Sequence, residues 1–134
     1  MSTATKILLV AGMLNLMVGA LSGIPMGLKR QAGAPTVPKY LTMVHLGGLM
    51  QGPLLIATGF ALTISELSAW LNTTAALLLG VGSGVLLAKD TINWRQGVTD
   101  EFAQNSLGLK LANVFVPMHL VGITVATVGV FTGL

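Results

Sequence analysis

Charged positions divide this chain into long apolar stretches. Eleven charged residues stand at Lys6, Lys29, Arg30, Lys39, Glu66, Lys89, Asp90, Arg95, Asp100, Glu101 and Lys110. Four uncharged intervals lie between them, residues 7–28, 40–65, 67–88 and 111–134, holding 22, 26, 22 and 24 residues. A bilayer core of about 30 Å is crossed by about 20 helical residues. Lipid offers the backbone no hydrogen-bond partners, so each interval predicts a helix. The expected spans are about 6–28, 40–64, 67–89 and 111–134, an all-α, four-transmembrane-helix bundle in one domain without an internal repeat. Barrel strands would give shorter, alternating segments. The first interval also has the flanks of a signal peptide, with Lys6 before it and small residues at Ala20–Ser22. Its apolar run, however, outlasts the usual ~7–15 residues.

Composition sharpens this picture. Charged side chains make up 8% of the chain, against roughly 25% in soluble domains, and mean hydropathy is +0.82. A chain of this length cannot bury four such helices in water. There is no cysteine, which excludes disulfides, thiolate metal sites and thiol nucleophiles. The basic residues form no stripe, so no nucleic-acid partner is expected.

The connections differ in character. The first, Lys29 to Lys39, holds Gly33, Pro35 and Pro38 and reads as turns. The second, around Ser65–Ser68, is short enough to make helices two and three an antiparallel hairpin. The third, Asp90–Lys110, is the longest and carries most of the polar chemistry. Connections one and three hold six of the seven Lys and Arg residues, against Lys6 alone on the other side. The positive-inside rule therefore places both in the cytoplasm, with both termini outside; the membrane expected is a bacterial inner membrane. Tyr40, Trp70 and Trp94 fall near span ends, as interfacial aromatics do. Glycines four apart recur at Gly19, Gly23 and Gly27, at Gly48 and Gly52, at Gly80 and Gly84, and at Gly129 and Gly133. That spacing predicts close helix packing and self-association.

Polar residues inside a span are costly and mark candidate sites. Those present are Asn15, His45, Gln51, Asn72, Asn113 and His119. His45 lies about 7 Å and His119 about 13 Å inside their helices from the same end, at 1.5 Å per residue. With Asn113 and the third-connection residues Asp90, Asn93 and Arg95, they are expected to converge in one half of the bundle. Neutral imidazole is a ligand for haem iron or another transition metal. Gly48 and Gly52, three and seven residues after His45, would leave its helix face open to a flat porphyrin. His119 could be a second ligand, an acid or base, or a packing residue. Asp100 and Glu101 read as a solvated patch, and Asp90 beside Lys89 as a helix-end charge or a functional acid. No phosphate-binding loop, zinc-protease motif or nucleophile–base signature occurs.

The stretch His45-Leu46-Gly47-Gly48-Leu49-Met50-Gln51-Gly52 resembles the histidine segment of styrene oxide isomerases: histidine, glycine two later, asparagine six later, then glycine. Asp90, Asn93 and Trp94 resemble a second, looser feature of that family. The resemblance implies a four-helix membrane enzyme that binds ferric haem b through His45 at trimer interfaces, with the iron a Lewis acid on the substrate oxygen. Gln51 stands where that family has asparagine. The family's oxygen-holding tyrosine has no counterpart, since Tyr40 lies elsewhere. These departures point away from an epoxide substrate. Length, span layout and opening sequence are more similar to hydroxylaminobenzene mutases, which implies conversion of hydroxylaminobenzene to 2-aminophenol by a related haem design. Gln51, Asp90, Asn93, Asn113 and His119 are then the candidate catalytic residues, and His45, Gly48 and Gly52 the candidate cofactor-binding residues. The partners expected are a small aromatic substrate, the lipid bilayer and two further copies of the chain. Other readings are an epoxide isomerase, an electron-transfer cytochrome with His45 and His119 as axial ligands, and a non-catalytic membrane subunit or small transporter.

Overall fold

A computed structural model describes all 134 residues, and every regular element in it is helical. The elements are α1 (Thr3–Gln31), α2 (Lys39–Ala61) with a 3₁₀ turn at Leu62–Ile64, α3 (Ala69–Arg95) and α4 (Leu107–Thr132). All four are long and apolar enough to cross a membrane.

Local chemistry sets the helix starts. Ser2 caps α1 by accepting from the Thr5 N–H at 3.1 Å, and Ser106 caps α4 by accepting from the Leu109 N–H at 3.2 Å. Each hydroxyl satisfies an otherwise orphaned backbone donor. The helices also run past the charges expected to end them. At 29 residues α1 is about 43 Å long. α3 continues through Lys89, Asp90 and Asn93 to Arg95, and α4 starts at Leu107. The third connection therefore shortens to residues 96–106, and Asp90 and Asn93 stand on a helix, not in a loop. Charge does not end α3 because Lys89 and Asp90 neutralise each other at 2.8 Å.

The helices do not form a square. α1, α2 and α3 pack mutually, α4 packs along α3, and α2 and α4 share almost no direct contact. α1 and α2 approach backbone to backbone. A Cβ on Gly48 would lie 2.6 Å from the Gly19 Cα, and one on Gly12 would lie 2.8 Å from the Gly52 carbonyl oxygen. The core mixes alanine and leucine evenly: Ala4, Ala75, Ala76 and Ala126 with Leu8, Leu55, Leu62 and Leu79. Large apolar side chains such as Val10, Met13, Met17, Leu21 and Ile24 point outward. That inside-out distribution suits lipid as the surrounding solvent.

Candidate functional site

His45 projects from α2 toward α1. Its Nδ1 lies 2.7 Å from the Gly19 carbonyl oxygen. A carbonyl can only accept, so Nδ1 carries the proton and Nε2 keeps its lone pair. Nε2 makes no hydrogen bond and is not among the buried unpartnered atoms, so it faces the outer surface of the α1–α2 seam. A backbone carbonyl fixing one ring nitrogen while the other stays free is the arrangement found in metal-ligating histidines. The imidazole has room because Gly23 lacks a side chain: a Cβ there would lie 3.2 Å from the His45 Cε1. One turn further along α1, Gly27 faces open space.

Gly48 and Gly52 do not serve His45 as expected. Both are buried beneath α1, where a Cβ would strike Asn15 and Gly19 or Leu16 and Gly12. They allow the helices to meet and leave no face for a planar ligand. The open, small-residue surface beside His45 belongs to α1, at Gly23 and Gly27. The spacing of these glycines was visible in the sequence, but not which helix each would face.

No cluster of three His, Cys, Asp or Glu side chains capable of holding a bare metal ion is present. A solitary histidine ligand suits a metal whose remaining ligands come from a macrocycle, as in haem.

A second polar group gathers at the end of the bundle formed by the first and third connections. The Lys89 ammonium donates to Asp90 Oδ1 at 2.8 Å and to both oxygens of Glu101, at 2.9 and 3.1 Å. Asn93 Nδ2 donates to Glu101 Oε2 at 2.7 Å. The Glu101 N–H donates to the Tyr40 hydroxyl at 3.0 Å. Lys89, Asp90, Asn93 and Tyr40 are all buried. Glu101 is therefore no solvated patch but the centre of a clamp that ties the third connection to α2 and α3. Asp100 stays exposed and shapes the local turn by accepting from the Phe102 and Ala103 N–H groups. Gly108 of α4 seats directly on the Asn93 amide, where no Cβ would fit. Sequence reasoning read Glu101 as solvated, Tyr40 as an interfacial aromatic and Lys89 as a helix-end charge, and assigned none of them to a site. A lysine, a glutamate twelve residues on and a tyrosine from another helix form no local motif.

A third set lies at half-height. Asn15 Nδ2 donates to the Ala11 carbonyl at 2.8 Å and to Ser83 Oγ on α3 at 3.1 Å. The Gly82 backbone faces Phe115, Met118 and His119 of α4. Buried without any partner are Asn15 Oδ1, Gln51 Oε1, Asn93 Oδ1 and His119 Nδ1.

The expected convergence thus resolves into separate places. Asp90 and Asn93 join the clamp. His45 meets α1. Gln51 stands six residues from His45, about 120° around the α2 axis, and does not share its face. His119 sits at half-height against Phe115, with ring centroids 5.2 Å apart. Asn113 is exposed on the outer side of α4 and makes no side-chain hydrogen bond within the chain. Arg95 is exposed beside the Trp94 ring, 5.0 Å from its centroid.

No family model, no curated protein and no solved structure matches the chain.

Proposed function

We propose that this chain is a multi-pass inner-membrane isomerase that rearranges hydroxylaminobenzene to 2-aminophenol at a haem held by His45. The observation that carries the reading is the pinned imidazole: Nδ1 is fixed on the Gly19 carbonyl and Nε2 is free on a glycine-lined seam.

When bound, ferric haem supplies a Lewis acid for the N–OH oxygen, weakening the N–O bond. The reaction is redox-neutral. Oxygen leaves nitrogen and ends on the ortho carbon, the ring proton displaced there is lost, and nitrogen gains one. His45 fixes the metal, and Gly19 fixes His45. The apolar helix surfaces admit an aromatic ring and keep out water that would capture a cationic intermediate. Gln51 faces away from His45 of its own chain, and its Oε1 is buried within that chain, so it takes no part in a His45 site. Asp90 and Asn93 act indirectly, by setting the third connection.

A cytochrome with His45 and His119 on one iron gains no support from the helix register. Gly122 faces Leu79 and Gly47 faces Leu87. These contacts place His45 level with about residue 112 of α4, roughly 10 Å from His119 along the bundle.

An absorption spectrum of the detergent-purified protein, before and after hydroxylaminobenzene, tests the proposal. A Soret band that shifts with substrate is expected, lost together with activity in His45→Ala. A colourless, fully active His45→Ala protein refutes it.

A further inference from the structure

α1 and α3 leave a lengthwise furrow on the outer surface of the bundle. Two cavities of about 450 and 350 Å³ share Ala11, Leu14 and Gly80 and so run into one another along it. The two helices are parallel and in step: Asn15 reaches Ser83 at 3.1 Å, and a Cβ on Gly80 would lie 3.2 Å from the Ala11 Cβ. Val10 and Leu14 of α1 and Val81 of α3 form exposed rims. Between them the surface drops to glycine, and a Cβ on Gly84 would meet nothing within 4 Å. One charged side chain lines the furrow, Lys6 at its end. Lys6 is exposed and belongs to no ion pair. By comparison, the furrow between α2 and α4, lined by Thr58, Ile123 and Ala126, has no charged side chain to select an occupant.

Lys6 also marks a depth. The 22 uncharged residues between it and Lys29 rise about 33 Å, matching a bilayer core of about 30 Å. Lys6 therefore stands at one edge of the hydrocarbon, where lipid headgroups begin. Gly84 adjoins Ser83, which is level with Asn15, and Asn15 lies nine residues past Lys6. The furrow thus runs about 14 Å inward from Lys6 to Gly84, nearly the ~15 Å of one leaflet. We propose that it holds one acyl chain of an anionic phospholipid, with the phosphate on Lys6 and the chain end over Gly84. Glycine makes the channel, and the rims keep the chain in it. The Lys6 stem can lie along the apolar rim while its ammonium reaches the headgroup layer, as long cationic side chains do at membrane edges. A net-negative headgroup gains from that cation, whereas a zwitterionic one brings an ammonium of its own. Only α1 and α3 are involved, so neither His45 nor haem enters.

Native mass spectrometry of the full-length protein counts the lipids that survive removal of detergent. The probe is an equal mixture of phosphatidylglycerol and phosphatidylcholine with the same acyl chains. Phosphatidylglycerol should be retained roughly fivefold over phosphatidylcholine, the worth of one lysine at a charged membrane surface. Lys6→Gln should bring that ratio toward one, and Lys110→Gln, exposed at the opposite end, should not. Gly84→Leu fills the furrow where a side chain meets nothing and should lose one bound lipid per chain. Gly27→Leu, equally unobstructed, should lose none. Should Gly84→Leu not fold, phosphatidylglycerol with a photoreactive diazirine at its chain end should label the unmodified protein at Leu14, Val18 or Ala88, which line the furrow with Gly84. No lipid lost in Gly84→Leu, a ratio unmoved by Lys6→Gln, an equal loss in Lys110→Gln, or label spread over α4 overturns the proposal. So does a Gly84→Leu protein that keeps its lipid but falls from several copies to one, which gives the furrow to a second chain.

Discussion

Lys89 grips Glu101 by both carboxylate oxygens, at 2.9 and 3.1 Å, although twelve residues and a change of direction separate them. The same ammonium holds Asp90, so one buried cation is shared between a buried carboxylate and a half-buried one. Removing it should hurt more than removing either acid. Lys89→Met leaves two carboxylates facing each other and should cost about 3–5 kcal/mol, the usual penalty for orphaning buried charge. Glu101→Gln keeps the Lys89–Asp90 pair and should cost about 1.5–3 kcal/mol, the worth of hydrogen bonds to a charged group. Denaturant unfolding in detergent measures both, and the reverse order would show that the clamp is not organised by the lysine.

The α1–α2 seam predicts a contrast between glycines. Gly48→Ala places a methyl 2.6 Å from the Gly19 Cα and must push α1 away. Overpacking of this kind costs about 1–3 kcal/mol. Gly84→Ala meets nothing within 4 Å and should leave thermal stability unchanged or slightly improved. Equal melting temperatures for the two variants would mean that the seam is looser than described.

Beside His45 the decisive void is on α1. Gly23→Leu fills the space against the imidazole, 3.2 Å away. Disturbing the surroundings of a metal-bound histidine typically weakens the metal by about 10–100-fold. With haem on His45 as proposed, the Soret band should shrink accordingly while helicity by circular dichroism is retained. Gly27→Ala, in open space, should keep the band. Loss of colour in both variants, or in neither, would argue against this seam as the cofactor's seat.

Asn15 should matter little to stability. Its single interhelical bond, to Ser83 Oγ at 3.1 Å, is of a kind that averages about 0.6 kcal/mol inside membranes, and its Oδ1 has no partner. Ser83→Ala should cost less than about 1 kcal/mol. A loss several times larger in unfolding experiments would reveal a partner for Asn15 beyond this chain.

Four helices and their order were readable from charge spacing alone, because lipid forbids any other use of long apolar runs. Helix ends were not. Lys89 and Asp90 read as a boundary, yet they pair with each other and lie inside α3. His45 could be singled out from its depth in an apolar run. Its tautomer could not, since that depends on a carbonyl 26 residues away at Gly19. Gly48 and Gly52 carried the right spacing for two uses, packing or an open face. Spacing cannot distinguish them until the neighbouring helix is placed. Glu101 looked solvated because its partners Lys89, Asn93 and Tyr40 come from two other helices.

The fourth helix packs chiefly along α3, and the furrow between it and α2 opens sideways. A greasy guest dissolved among acyl chains can therefore drift in laterally without ever crossing an aqueous vestibule. What reaches that furrow is then set by the amount of solute stored in the bilayer, so occupancy by apolar molecules should track oil–water partitioning more closely than concentration in the surrounding fluid.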